Sequence, residues 1–254
     1  MTTSFTVTGV EGVPLIKPGD DLAAILIAAV GEQDIQLLDG DIIVIAQKIV
    51  SKAEGRLVDL SAVDPSAEAS KLAEKTDKNP QHVELILQES REIVRSKPGV
   101  IVVEHRLGHV LANAGIDRSN VEAPTDGESA LLLPVDPDAS AAALKDRFEA
   151  HWNRELGVLI ADSVGRAWRL GTVGIAIGAA GVASLHDQRG DPDLFGRPME
   201  TTVTGHADAI ASAATLLMGE AAEATPAAVV RGVVRGEPAP ARSINRPKAE
   251  DMFR

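Results

Sequence analysis

The feature of this sequence that most restricts its fold is the run GVLIA at positions 157–161, which contains no polar side chain. A short apolar run of this kind favours a β-strand that is buried on both faces. Asp162 and Ser163 follow the run at once, so we expect the strand to end there. An acid at the end of a buried strand can present a carboxylate to a metal ion. Asp-Ser is, however, equally common where an ordinary turn begins.

Two arginines and a glycine-rich apolar segment come next along the chain. Arg166 and Arg169 are candidates for binding a substrate carboxylate or phosphate, and surface salt bridges are an equally weighted alternative. Gly174, Gly178 and Gly181 match neither the dinucleotide-binding glycine pattern nor a phosphate-binding loop. We therefore expect these glycines to allow close backbone packing.

The composition excludes several classes of function. The chain has 254 residues and no cysteine, which rules out disulfides, zinc–thiolate sites and cysteine nucleophiles. A net charge of −12 and an aromatic content of 2% argue against a nucleic-acid partner. No apolar run is long enough to cross a bilayer, and the start of the sequence does not resemble a signal peptide. We expect a cytoplasmic protein with no membrane partner.

The hydrophobic pattern mixes strands and helices without strict βαβ alternation. This favours an α+β fold of largely antiparallel sheets flanked by helices, in two interleaved subdomains. We expect one domain over residues 1–236 and a C-terminal arm over 237–254, which lies on the surface or on a second subunit. The expected strands are at 5–10, 42–46, 100–104, 110–112, 157–161, 201–204 and 227–234.

Capping signals place the helices. We expect helices at 21–30 with Asp20 as N-cap, at 66–77, and at 138–156 with Asp138 as N-cap. Another helix should follow Asn79-Pro80 and carry an apolar stripe that reaches Ile93 and Val94. The last should follow Thr204, with Leu217 facing inward and Gly219 as the stop. Residues 122–138 have the composition of a polar loop.

Three acids stand where apolar segments stop, namely Asp117, Asp162 and Glu220. If they converge, their oxygens suit Mg²⁺ or Mn²⁺ carrying nucleotide phosphates. The alternative is three solvated loop acids, and the residues alone favour it. Lys48 and Lys52 follow the strand ending at Ala46 and could hold phosphate oxygens, although a solvated face is again the more common arrangement.

Long segments of the sequence resemble one family, the coenzyme F420-0:L-glutamate ligases, also called coenzyme F420 gamma-glutamyl ligases. The matching segments span nearly the whole chain in family order. They are VEGVPLIKPGDDL (10–22), DGDIIVIAQKIVSKAEGR (39–56), NAGIDRSNVE (113–122), LLLPVDPDASA (131–141), GVLIADSVGRAWRLGTVGIAIGAAG (157–181), DLFGRPMETTVTGHADAIASAATLLMGE (193–220) and PAAVVRG (226–232).

The resemblance implies a GTP-dependent ligase that joins L-glutamate to coenzyme F420-0, needs Mg²⁺ or Mn²⁺, is helped by K⁺ and assembles as a homodimer. It implies the stand-alone form of the family, without a C-terminal reductase-like domain. The implied metal ligands are Asp117, Asp162, Ser163 and Glu220, with catalytic roles for Lys52 and Asp162. The implied nucleotide contacts are Val13, Pro14, Leu15, Ile16, Gln47, Lys48, Lys52, Asn120, Met218, Gly219, Glu220, Ala221, Ala222, Glu223, Ala224 and Thr225.

The sequence departs from the family pattern in a few places. Ser163 stands where many members carry Thr, and Gln47-Lys48 stands where some have Ser-Thr. The segment 221–225 is less glycine-rich than in archaeal members. Two other functions stay open on the sequence: a metal-dependent nucleotide hydrolase or phosphotransferase that uses the same acids, and a non-catalytic deazaflavin-binding protein.

Overall fold

The structure is a computed structural model that describes residues 4–121 and 128–252. It has an α+β fold in which sheets of mainly antiparallel strands are flanked by helices, which confirms the expected fold class. The strands are β1 Thr6–Val10, β2 Ile42–Ala46, β3 Leu57–Asp59, β4 Ser90–Lys97, β5 Val100–His105, β6 Val110–Ala112, β7 Ser129–Leu131, β8 Gly157–Arg166, β9 Arg169–Ala180, β10 Leu185–Asp187, β11 Val203–Gly205 and β12 Ala227–Arg231. The α-helices are α1 Leu22–Glu32, α2 Gln47–Ala53, α3 Ala67–Thr76, α4 Pro80–Gln88, α5 Pro137–Trp152 and α6 His206–Met218.

A central sheet in the order β1-β12-β2-β8-β9 separates two hydrophobic cores. Its neighbours are antiparallel except β2 and β8, which run parallel with Ala46 opposite Ala161. Because side chains alternate along a strand, Ile43 and Ile45 enter the core under α1 and α5. Ile42 enters the opposite core, under α6. The apolar runs in β2 and β8 are therefore buried on both faces, as expected.

Glycines in β9 let helices approach the sheet closely. A Cβ atom at Gly178 would lie 2.2 Å from the carbonyl oxygen of Pro137 in α5. A Cβ atom at Gly174 would lie 2.9 Å from the carbonyl oxygen of Ala211 in α6. The expectation that these glycines serve close packing is confirmed.

Residues between α2 and α5 build a third hydrophobic core around α3, α4 and the β4-β5-β6 sheet. Arg56 ties this part to the rest. Its Nε donates to the carbonyl oxygen of Leu133 at 2.9 Å, and its Nη2 donates to the carboxylate of Glu89 at 3.1 Å. Glu89 is buried, and its pKa is lowered: burial would raise it, but the hydrogen bond from His105 and the charges of Arg56 and Arg106 outweigh burial.

Three helix starts differ from the expected ones. The N-caps are Asp21, Asp136 and Gly205, and the expected Asp20, Asp138 and Thr204 do not cap. Asp138 instead lies buried inside α5, where its carboxylate accepts hydrogen bonds from the backbone N–H groups of Ala179 and Ala241. The sequence could not distinguish two nearby Asp residues by propensity, since both suit an N-cap.

Three further expectations were wrong. β8 does not end at Asp162 but continues to Arg166, because it pairs with β9 along its whole length. Ile93 lies in β4 rather than on a helical stripe, since α4 ends at Gln88. Leu217 is 42% exposed and lies over Gly9 at the margin of α6. The polar loop expected over 122–138 lies partly outside the described residues, and its later part forms β7 and the start of α5.

Within residues 4–121 and 128–252, no helix is both long and apolar enough to cross a membrane.

Replacement of Gly178 by Ala tests the close approach of α5. The added Cβ would meet backbone atoms of Pro137, so the free energy of unfolding should fall by about 3 kcal/mol. The matched control is Gly165→Ala in the adjoining strand, where an added Cβ meets open space. Urea denaturation should show a lower midpoint for the first variant alone, and equal midpoints would contradict the packing argument.

Buried histidines should make the protein less stable in mild acid. Burial, assisted by the charges of Lys78 and Arg118, lowers the pKa of His82 to about 4, and burial with His105 lowers the pKa of His109 to about 4. The unfolded imidazoles bind protons that the folded ones exclude, so the free energy of unfolding is highest above the ordinary imidazole pKa of 6.5 and falls as the pH drops towards 4.

The measurement is the unfolding free energy at a series of pH values for the wild type and for the His82→Gln, His109→Gln double variant. Between pH 6.5 and 4, the unfolding free energy of the variant should depend much less on pH than that of the wild type. Identical slopes for the two proteins would show that other groups cause the acid sensitivity.

Candidate active site

The carboxyl end of β2, and the point along the neighbouring parallel strand β8 that lies beside it, define the position of the site. α2 begins at Gln47, directly after β2, and Asp162 follows the residue that pairs with the end of β2. Along β8, Asp162 points to the same side of the sheet as Ile160, and Ser163 points to the other side. The strand therefore offers a carboxylate to one face and a hydroxyl to the opposite face.

Asp117 reaches this edge from the segment that follows β6. The chain turns through Asn113 and Ala114, both with positive φ, before it reaches Asp117. Gln47 Nε2 donates to Asp117 Oδ2 at 2.6 Å, and Lys48 Nζ lies 3.5 Å from Asp117 Oδ1. Two neighbouring residues of α2 thus hold the Asp117 carboxylate.

Gln47 is itself fixed in place, because it is buried and accepts a hydrogen bond at 2.9 Å from the hydroxyl of Ser51 one turn along α2. Ser51 was not singled out from the sequence. The four-residue spacing of Gln47 and Ser51, which puts them on one face of a helix, was the available signal.

Burial and neighbouring acids raise the pKa values of two carboxyl groups at this site, those of Asp162 and Asp117. Burial, the charge of Asp117 and the charge of Glu220 raise the pKa of Asp162 to about 7, against the opposing effects of the Ser163 N–H and Lys48. Burial and Glu220 likewise raise the pKa of Asp117, although Lys48 and Gln47 oppose them. Such coupling shows that carboxylates from three separate segments share one electrostatic environment.

Glu220 comes to the site from the turn after α6. Gly219 ends the helix with a φ of 73°, and the chain then turns so that the Glu220 carboxylate accepts a hydrogen bond from the Ser163 hydroxyl. The acid and hydroxyl expected to act together are therefore in contact.

A chain of hydrogen bonds closes the exposed side of the site. Lys52 Nζ donates to the backbone carbonyl of Asn120 at 2.9 Å, and Asn120 Nδ2 donates to the backbone carbonyl of Ala221 at 2.9 Å. The Glu223 carboxylate accepts from the Ala221 N–H at 2.7 Å, which shapes the same turn. α2, the Asp117 segment and the turn after α6 are thus linked in one network.

The remaining residues implied by the resemblance lie around this network. Met218 is buried at the end of α6 and Thr225 is partly exposed before β12, whereas Ala222 and Ala224 are exposed. Of the N-terminal segment, Ile16 is buried, Val13 is partly buried, and Pro14 and Leu15 are exposed. That segment is tied to α2 by a hydrogen bond from the Gly19 N–H to the Ala53 carbonyl at 2.9 Å.

Arg166 and Arg169 lie at the exposed turn between β8 and β9. Arg166 Nη2 donates to the carbonyl of Leu170 at 3.1 Å within that turn. The two arginines are therefore at the tip of the hairpin, whereas Asp162 lies midway along β8, opposite Ile175.

The donor set fits a hard divalent cation. Asp117, Asp162 and Glu220 with the Ser163 hydroxyl are all oxygen donors, and the pKa of Asp162 is raised by burial and by its acidic neighbours. Across residues 4–121 and 128–252, no three acidic or imidazole side chains already lie close enough together to enclose a metal ion. The carboxylates instead accept hydrogen bonds from Gln47 and Ser163, which are the contacts that a cation would replace.

Most of the chain is similar in sequence to known proteins. Residues 12–232 match the family model described as F420-0:Gamma-glutamyl ligase. A protein from Methanothermobacter thermautotrophicus named coenzyme F420:L-glutamate ligase is 47% identical over 253 residues, covering 98% of this chain and 99% of that protein. A protein of the same name from Methanopyrus kandleri is 46% identical, covering 96% of this chain and 97% of that protein. Another from Methanocaldococcus jannaschii is 42% identical, covering 98% of this chain and 96% of that protein. The chain belongs to the F420-0:gamma-glutamyl ligase family.

Replacement of Asn120 by Ala tests the network at the exposed side. Loss of the side-chain amide removes the hydrogen bond to the Ala221 carbonyl, so residues 219–225 should exchange amide hydrogen faster. Hydrogen exchange read by mass spectrometry measures this, with the neighbouring Ser119→Ala as control. Unchanged exchange in 219–225 would show that the hydrogen bond does not hold the turn.

Proposed function

We propose that this protein is the ligase that joins L-glutamate to the carboxylate of coenzyme F420-0 in the biosynthesis of coenzyme F420. The observation that carries the proposal is the meeting of acids, lysines and amides from four separate segments around Asp117 and Asp162. Membership of the F420-0:gamma-glutamyl ligase family and relatives named coenzyme F420:L-glutamate ligase support the choice of substrates.

Amide formation from a carboxylate requires activation, because oxide is a very poor leaving group. We propose GTP as the activating substrate. A carboxylate oxygen of coenzyme F420-0 attacks the γ-phosphorus, the bond from that phosphorus to the β–γ bridging oxygen breaks, and GDP leaves. The glutamate amine then attacks the carbonyl carbon of the acyl phosphate, phosphate leaves with the C–O electron pair, and the nitrogen gives up a proton.

Positioning and neutralisation of charge are what such a transfer asks of the protein. The ammonium group of Lys48, partly exposed beside Asp117, is placed to bind a phosphate oxygen. We assign to Lys52 the neutralisation of charge on the transferred phosphoryl group, because it lies at the junction of the Asp117 segment and the turn after α6. Gln47 keeps the Asp117 carboxylate in one orientation through its own bond to Ser51.

Asp117, Asp162, Ser163 and Glu220 would hold Mg²⁺ or Mn²⁺. The cation would neutralise the β- and γ-phosphate oxygens of the nucleotide. A bound cation also explains why the fold brings three acids together, since burial and their repulsion otherwise raise the pKa of Asp162 to about 7. K⁺ is assigned as an additional cation on the family resemblance alone.

The nucleotide would lie along the residues that surround this network. The proposed contacts are the segment that holds Val13 and Ile16, the pair Gln47 and Lys48, and the turn from Met218 to Thr225. The link from Asn120 to Ala221 supports this placement, because it joins the Asp117 segment to that turn. Addition of a second glutamate to the γ-carboxyl of the first is a further proposed step.

We also propose a homodimer in the cytoplasm. The support for the dimer is a set of large apolar side chains left exposed on two loops of the monomer: Trp168 at 80%, Leu170 at 98%, Leu194 at 100% and Phe195 at 81%. The absence of cysteine suits a reducing compartment.

The two alternative functions are less well supported. A non-catalytic deazaflavin-binding protein would have no need of Lys48, Lys52 and three acids in one network. A nucleotide hydrolase or phosphotransferase could use the same groups, and it would release GDP without glutamate.

Replacement of Asp162 by Asn should abolish ligation. The change removes a charge at the centre of the proposed metal site but keeps the shape of the side chain, so we expect activity to fall by about a thousandfold or more while the circular dichroism spectrum and melting temperature are kept. Amide product measured by liquid chromatography gives the rate. The matched control is Asp187→Asn, which breaks an exposed pair with Arg189 and should leave the rate unchanged.

The Asp117→Asn, Asp162→Asn double variant decides the metal assignment. Retention of metal-dependent ligation by the double variant would remove both residues from the metal site.

A further inference from the structure

An open cleft of about 540 Å³ lies beside the N-terminus of α4, lined by residues on the far side of the Asp117 segment. Its volume falls within the range of about 300–1,000 Å³ typical of small-molecule sites. None of its lining residues belongs to the metal or nucleotide site described above. The lining residues are Asp77, Lys78, Asn79, His82, Gly99, Asn113, Ile116, Arg118 and Ser119.

His82 in this cleft carries an unused polar atom. The side chain is 5% exposed, and its Nε2 has no hydrogen-bond partner among the described residues. A buried polar atom left without a partner costs free energy. His82 is one of the residues that line the cleft, and a molecule bound there would supply the missing partner.

Positive charge dominates around His82. Lys78 is partly buried and forms no ion pair with any residue in 4–121 or 128–252. Arg118 contributes a second cation, although one of its Nη atoms lies 2.6 Å from Glu128. Burial and the charges of Lys78 and Arg118 lower the pKa of His82. Asp77, the acid in the lining, is exposed and does not offset them at the imidazole.

The cleft and the active site share one segment of chain. Asp117 and Asn120 face the active-site network, whereas the intervening Arg118 and Ser119 line the cleft. Asn113 also lines the cleft and accepts a hydrogen bond from the Ile101 N–H at 3.2 Å, which fixes the turn that leads to Asp117. A molecule bound in the cleft would therefore hold the segment that carries Asp117.

We propose that this cleft is a second anion site, in which Lys78, Arg118 and His82 bind the phosphate or carboxylate of a small molecule. The ammonium and guanidinium groups supply charge-assisted hydrogen bonds to the oxyanion, and His82 Nε2 in its protonated tautomer donates a further one. Binding there orders the Asp117 segment from the side opposite the nucleotide. The site does not depend on the function proposed above, because its binding can be measured without GTP or metal.

Isothermal titration calorimetry of the metal-free protein with inorganic phosphate, and separately with L-glutamate, tests the site. Saturable binding is expected for at least one of the two probes, and which one binds decides between a phosphate and a carboxylate ligand. Lys78→Gln and Arg118→Gln should each weaken binding about tenfold or more. The matched control is Lys75→Gln, which removes an exposed lysine of α3 outside the cleft and should bind as the wild type does.

Lys52→Gln separates the cleft from the proposed phosphate site of the active centre. Binding that persists in Lys52→Gln and is lost in Lys78→Gln supports the cleft. Binding lost in Lys52→Gln and kept in Lys78→Gln would place the anion in the active centre and overturn the proposal. Absence of saturable binding of both probes to the wild type would overturn it as well.

Discussion

The close packing of α5 and α6 against the glycine-rich strand β9 is the constraint on which the rest of the structure depends. Backbone carbonyls of Pro137 and Ala211 occupy the space where side chains at Gly178 and Gly174 would lie. This packing holds β8 between β2 and β9, with its residues 157–161 buried on both faces. A strand held in this way cannot slip in register without turning its apolar side chains outward. Asp162 and Ser163 are consequently held on a rigid strand, where the Ser163 hydroxyl donates a hydrogen bond to Glu220.

The same rigid framework brings acids together at a cost in free energy. Asp117 and Asp162 are partly withdrawn from water and repel each other and Glu220, so their pKa values rise. Lys48 and Gln47 offset only part of this repulsion. Active sites often hold such arrangements, because groups that are unfavourable alone become favourable when an oppositely charged ligand binds. The proposed nucleotide and divalent cation together complete the charge balance that the protein leaves open.

The sequence predicted this arrangement unevenly. Apolar runs were sufficient to place β2 and the buried part of β8, because strands buried on both faces leave an uninterrupted pattern. Pairing with β9 extends β8 through Asp162 to Arg166, and the polar residues of this extension break the apolar pattern from which the strand was predicted. Composition alone favoured three solvated acids over a site. The family resemblance was required to group Asp117, Asp162 and Glu220, and the structure shows their electrostatic coupling. The sequence analysis missed Ser51, because a four-residue spacing to Gln47 within a short helix is a weak signal. It also missed the cleft at His82, because the cleft is formed by tertiary contacts.

The most direct test of the central claim is mass spectrometry of coenzyme F420-0 after incubation with the purified protein, GTP, Mn²⁺ and L-glutamate. The account predicts products heavier by whole glutamate residues, formed only when the metal, the nucleotide and glutamate are all present. The number of increments would give the length of the glutamate chain. GDP released at the same rate without glutamate, with coenzyme F420-0 unchanged in mass, would contradict the ligase and favour a nucleotide hydrolase.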